Sequence, residues 1–333
     1  MNRPRLIARV DDWQQRHAAA GFPLAVIYKL FDDRGLYLAA LIAYYGFVSL
    51  FPLMLLFVSA AGFFLDGDPA LRDRLIALLL RDVPSIGPQL GHSIAGFHRS
   101  GAALAVGIIG SLYGGLGVTQ AAQTAFNRIY GVPRDEQPNP VTSRLRGVGL
   151  VLLLGTVVLV STGIATLVST ATGFAAGFGP AAKALGYLVS LVINIALFTV
   201  AVQLLTARKL RVPDVIAGGV IAGVAWELLQ IFGVSFVTHE TSHATLLYGT
   251  FGTVITAIVW IYLQALVLIL AAEINIVRHR RLWPRALLTP FTDHVRLTDA
   301  DRRAYQMYAG TQRFKRFSTV RVDFDDQNAD RPG

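Results

Sequence analysis

TFGTVITAIVWIYLQALVLILAAEINIV, residues 250–277, holds Glu273 as its only charge and then stops at Arg278, His279, Arg280 and Arg281. A hydrocarbon core about 30 Å thick is crossed by about 20 apolar residues rising 1.5 Å each. The run therefore reads as a membrane span closed by a basic stop on one side.

Working outward, five more stretches meet the same test: about Leu36 to Leu65 around Pro52, Ala102 to Phe126, Val148 to Thr170, Ala184 to Thr206 and Val215 to Val237. The third and fourth are separated by the Gly/Ala-rich segment Thr172 to Ala182, which reads as a tight turn or re-entrant connection. Between the first two, Leu71, Leu75, Leu78 and Leu79 fall at helical spacing opposite Arg72, Asp73, Arg81 and Asp82, the pattern of a helix lying in the interface. Composition agrees: 53% of the 333 residues are hydrophobic and 15% charged. Mean hydropathy is +0.51, whereas a soluble domain carries about 25% charged residues. Cysteine is absent, which excludes disulfide and thiolate chemistry.

Charge sets the orientation. Of 30 Lys and Arg, 25 fall in the first 35 residues, the 128–146 and 207–212 connections and the segment after Val277; Arg72, Arg74, Arg81, Arg99 and Lys183 make up the rest. Basic loops stay cytoplasmic, so both ends are expected inside. The expectation is an all-α polytopic membrane protein, N-in and C-in, with six spans and an interfacial helix. Residues 1–35 form an amphipathic lead-in without the features of a cleaved signal, 36–284 the membrane domain, and 285–333 a basic, partly disordered cytoplasmic tail. The net charge of +9 is spread over loops beside apolar helices, so its partner is expected to be anionic lipid headgroups and not nucleic acid.

Ionisable groups at membrane depth mark the candidate site. Glu227 lies mid-span, and Gly219 and Gly223 precede it at four-residue steps, so all three share a face packed against another helix, with Gln230 one turn on. It reads either as a carboxylate satisfied by a neighbouring helix or as a proton- or substrate-linked group. Glu273 reads as a helix-end salt bridge or a second site. Tyr113, Gln120, Gln123 and Asn127 in the second span, Tyr45, Ser49, Pro52 and Ser59 in the first, and Thr253, Thr256, Trp260 and Gln264 in the sixth form polar stripes. They are expected to line a cavity or to act as interhelical glue.

His239-Glu240-Thr241-Ser242-His243 matches H-E-x-x-H, which on a helix places two imidazoles on zinc with the Glu as base. Here it falls at the expected outer connection, where His92 and His98 are available as further ligands. A solvated loop without metal or cofactor is the expectation, and a zinc hydrolase the alternative. No nucleotide-binding loop or serine-nucleophile elbow is present.

The run Leu38-Ala39-Ala40-Leu41-Ile42-Ala43-Tyr44-Tyr45-Gly46-Phe47-Val48-Ser49-Leu50-Phe51-Pro52-Leu53 resembles the first-helix signature of the YihY/BrkB family, formerly labelled ribonuclease BN. Similar matches are Ala125 to Tyr130, Arg211 to Val215, Gly218-Gly219, Trp226-Glu227, Tyr248 to Gly252, Trp260 to Tyr262 and Ala272 to Asn275. The resemblance covers about residues 20 to 285 and is nearest the branch called YhjD. It implies a six-helix inner-membrane protein, a transporter of an unidentified small molecule or lipid with links to the envelope, and a misassigned nuclease label. A non-catalytic scaffold for envelope assembly is the other reading it leaves, and oligomeric state stays open.

Overall fold

The computed structural model describes residues 5–64, 101–151, 179–248, 250–287, 289 and 295–324. The expected interfacial helix, His92, His98 and the third span beyond residue 151 lie outside them, as does most of the Thr172 to Ala182 connection. Among the described residues every long element is helical: α1 (Arg5–Arg16), α2 (Ala18–Asp32), α3 (Gly35–Phe64), α4 (Gly101–Ile129), α5 (residues 140–151), α6 (Gly179–Leu205), α7 (Val212–Tyr248), α8 (Thr250–Arg280) and α9 (Asp299–Gly310). Ala105–Ile129, Leu188–Leu205, Val212–Gln230 and Val254–Arg280 are each long and apolar enough to cross a membrane, and Gly35–Leu50 is a shorter apolar stretch.

The outer faces of these helices are apolar. Val189 and Ile193 on α6, Ile216, Val220 and Val224 on α7, and Ile255 and Val259 on α8 recur at helical spacing and stay exposed. In water such a surface would be an association hazard; in lipid it is the solvated face. Because lipid tails are as apolar as leucine, the helices are held by close packing of small residues. Along the antiparallel seam of α3 and α4, a Cβ added at Gly110, Gly114 or Gly117 would come within 2.6, 2.5 and 2.3 Å of Pro52, Ser49 and Tyr45. Gly219 and Gly223 of α7 pack in the same manner against Thr199 and Ile195 of α6.

α7 differs from its sequence reading. The fifth apolar run ends near Val237, but the helix continues to Tyr248, so residues 239–243 are helical and not a loop. The reason is local: no Gly or Pro occurs between Gly233 and Gly249, so nothing interrupts the backbone ladder. Its 37 residues span about 55 Å at 1.5 Å per residue, more than a hydrocarbon core.

Both chain ends gather at one end of the bundle, called the terminal end below. Tyr28 of α2 donates to the Leu287 carbonyl at 2.5 Å, and Arg313 beyond α9 reaches Asp135 at 2.9 Å and Glu136 at 2.7 Å in the turn after α4. The segment read as a partly disordered tail thus carries α9, started by a reciprocal capping box between Thr298 and Asp301.

Candidate functional site

The site at the terminal end begins with the way α4 stops. Val132 N–H donates to the Asn127 carbonyl and Gly131 N–H to the Arg128 carbonyl, a Schellman ending. Gly131 takes φ of +62°, and a Cβ there would lie 2.5 Å from Met307 of α9. This turn seats α9 against the bundle and leaves Arg128 on the last turn of α4, facing the α2–α3 corner.

In that corner Lys29 is fully buried. Its ammonium pairs with Asp33 one turn on, donates to the Ile129 carbonyl at 3.0 Å, and lies 3.5 Å from the Glu273 carboxylate of α8. Glu273 is also fully buried, and neither of its oxygens accepts a hydrogen bond from a described residue. Burial alone would lower the Lys29 pKa, but Glu273 and Asp33 together outweigh it and hold the ammonium above its usual range. Burial pushes the Asp33 carboxyl up, against the pull of Lys29 and Arg128.

A second buried pair braces this corner. Arg285 Nε donates to Asp301 at 2.5 Å, and its Nη2 lies 3.4 Å from Asp32, which also accepts from the Tyr308 hydroxyl at 3.0 Å. Burial pushes the Tyr308 phenol well up, and Asp32 and Asp33 beside it add to the shift. Between these walls opens a cleft of about 660 Å³, lined by Asp32, Asp33, Arg128, Arg134, Tyr305 and Tyr308 among others.

The residues singled out from sequence distribute over several places. Glu227 sits on the α6–α7 seam, where its Oε1 accepts from Ser190 at 2.7 Å and from Asn194 at 2.9 Å. The face shared with Gly219 and Gly223 does pack against another helix, which is α6. Gln230 is exposed. Gln123 is buried and bonded to Ser143 of α5, and Asn127 is buried and accepts from Ala207 N–H at 2.8 Å. Tyr113 and Gln120 share their side of α4 but are exposed. Tyr45, Ser49 and Pro52 lie in the α3–α4 seam. On α8, Thr256 and Trp260 are buried and Gln264 is half-buried. For His239 and His243 the helical backbone alone is described, and among the described residues no cluster of metal-ligating side chains occurs.

Sequence reasoning passed over Lys29, Asp33, Arg285 and Asp301, and the Ser190 and Asn194 partners of Glu227. Ser190 and Asn194 carried a signal, being polar and one turn apart in an apolar span. Lys29 and Asp33 carried the local signal of an i, i+4 pair, whereas the Lys29–Glu273 and Arg285–Asp301 pairs carried none, because no helical spacing joins their members.

These features define an integral membrane protein built from a bundle of apolar helices. The chain belongs to the YihY/BrkB family: the family model described as Virulence factor BrkB matches residues 26–290. It is similar to the protein of Bacillus subtilis named as ribonuclease-like, YfkH, with 24% identity over 253 residues, 73% of this chain and 90% of that one. It also resembles UPF0761 membrane proteins of Aromatoleum aromaticum, 33% identical over 153 residues (45% of this chain, 36% of that one), and of Pseudoalteromonas translucida, 27% identical over 265 residues (77% and 85%). No solved structure matches the chain at a significant level.

Proposed function

We propose that the protein is a six-span translocator of the bacterial inner membrane, with both termini cytoplasmic, moving a small solute or lipid component, and that it is not an enzyme. The observation that carries this reading is Glu227, a carboxylate in a membrane helix held by Ser190 and Asn194 of the neighbouring helix. Close packing of α6 on α7 is already supplied by Gly219 and Gly223. A costly ionisable group is retained beside them, as on substrate and ion pathways. Glu273, buried in α8, gives a second such group on the way to the terminal end.

Six spans are supported by direction. α3 leaves the terminal end and α4 returns; α5 leaves and α6 returns; α7 leaves and α8 returns. The basic excess at that end supports a cytoplasmic setting for it, against anionic headgroups.

The test is translocation in proteoliposomes, read as dithionite-resistant loss of fluorescent phosphatidylglycerol from the outer leaflet and as proton flux with an internal dye. Protein-dependent movement in either, reduced at least tenfold by Glu227→Gln, is the expected result. Folded protein that moves neither faster than empty vesicles would overturn the proposal. Metal analysis of the purified protein is expected to find no stoichiometric zinc; one zinc per chain, lost on His239→Ala, would restore the hydrolase.

A further inference from the structure

The cleft at the terminal end contains four charges, and they are not equivalent. Asp32 is engaged by Arg285 and the Tyr308 hydroxyl, and Asp33 by Lys29. Arg128 and Arg134 have no comparable partner among the described residues. Arg128 is 44% exposed and reaches no carboxylate closer than Asp33, at 4.0 Å. Arg134 is exposed, its guanidinium stacked over the Phe314 ring at 4.5 Å, an arrangement that holds the plane while leaving N–H edges free.

From this we infer that the cleft is a binding site for a phosphomonoester, with Arg128 and Arg134 as the groups that take its phosphate. Two guanidiniums whose N–H edges are not taken up by a carboxylate closer than 4.0 Å among the described residues suit a dianion, and a phosphomonoester carries about −1.5 to −2 at neutral pH. Guanidinium forks suit phosphate oxygens in a way a lone ammonium does not. A bare inorganic ion would leave most of 660 Å³ empty; that volume lies in the range of sites for organic ligands, about 300–1,000 Å³. Tyr305, Val132 and Pro138 supply the less polar wall for the organic part. Lys29 and Arg285 stand behind Asp33 and Asp32 and offset part of their repulsion of the phosphate. The inference does not rest on translocation, since a receptor or scaffold would hold the same ligand.

The phosphate could arrive on a soluble ester or on a lipid. Glycerol 3-phosphate is titrated by calorimetry into the full-length protein in neutral detergent at fixed ionic strength. Dioleoyl phosphatidic acid is presented in nanodiscs, with phosphatidylcholine as control. Saturable binding of either probe, weakened at least tenfold by Arg134→Gln and unchanged by Arg316→Gln, is the expected result. Displacement of the soluble ester by phosphatidic acid would assign the site to a headgroup; saturation by glycerol 3-phosphate without such displacement would assign it to a solute. Arg134 is on an exposed turn, so the variant is expected to keep the wild-type melting midpoint. Arg134→Lys, which keeps the charge but not the fork, should bind at an intermediate level. Affinity for both probes equal in wild type and Arg134→Gln, or no binding of either, would overturn the inference.

Discussion

Lys29 Nζ lies 3.5 Å from the Glu273 carboxylate, with both side chains wholly out of solvent. The pair joins α2, outside the apolar spans, to α8, which is long and apolar enough to cross a membrane. Losing one member of a buried pair leaves a bare charge and costs about 3–5 kcal/mol, whereas replacing both is far milder.

Lys29→Met is accordingly expected to lower the melting midpoint in detergent sharply, because Glu273 and Asp33 both lose their cation. Lys29→Met with Glu273→Gln should recover much of that loss. The thermal midpoints of the two single variants and the double variant decide it. A double variant no more stable than Lys29→Met would show that the pair is not the unit.

Glu227 separates structure from mechanism. Glu227→Gln keeps an oxygen that can accept from Ser190 and Asn194, so stability should stay within about 1 kcal/mol of wild type. Glu227→Ala leaves both donors without their acceptor and should cost about 1–3 kcal/mol. If the carboxylate serves transport, Glu227→Gln loses flux while the fold persists. Full flux in that variant would make Glu227 a packing residue.

The helices were legible because lipid imposes one solution on the backbone. The expected ends of the first and sixth spans, Leu36 to Leu65 and Thr250 to Val277, fall within three residues of α3 and α8. Gly219, Gly223 and Glu227 could be read as a packed face because four-residue spacing is a property of one helix. The Lys29–Glu273 and Arg285–Asp301 pairs could not, since a local pattern does not say which distant element a charge will meet. Gln120 misleads for the same reason: it lies on the same side of α4 as Asn127, yet only Asn127 is covered. Near Val237 the apolar run ends but α7 does not, since loss of apolar character marks the end of a span and a polar sequence beyond it can remain helical.

The joint between α7 and α8 makes a third prediction. Asn275 accepts from Gly218 N–H at 2.6 Å and donates to the Val215 carbonyl at 3.0 Å, so one side chain of α8 grips the first turns of α7. A Cβ at Gly218 would lie 2.4 Å from the Ala271 carbonyl oxygen, which is backbone and cannot step aside. Gly218→Ala should therefore push the helices apart, break the Asn275 grip and cost about 1–3 kcal/mol. Gly149→Ala, with nothing among the described residues within 4 Å of the new methyl, is the matched control and should be nearly silent. Equal melting midpoints for the two variants would mean that the α7–α8 contact is looser than described.

Orientation is the fourth prediction, and the absence of cysteine makes it direct. Lys209 lies in the α6–α7 turn at the terminal end, and Thr142 in the first turns of α5 beside it. Thr241 is 27 residues beyond Asp214 along α7, about 40 Å at 1.5 Å per residue. That exceeds a hydrocarbon core of about 30 Å, so Thr241 emerges on the opposite side. Single cysteines at Lys183 and Thr241 should react in intact cells with a thiol reagent that cannot cross the membrane. Cysteines at Thr142 and Lys209 should react only after the cells are opened. The basic excess at the terminal end is what fixes the sign, since Lys and Arg near span ends are retained inside. Labelling of Lys209→Cys in intact cells, with Thr241→Cys protected, would invert the protein in the membrane and place the Arg128–Arg134 cleft outside. Labelling of both from outside would require an even number of spans between them and break the α7 assignment.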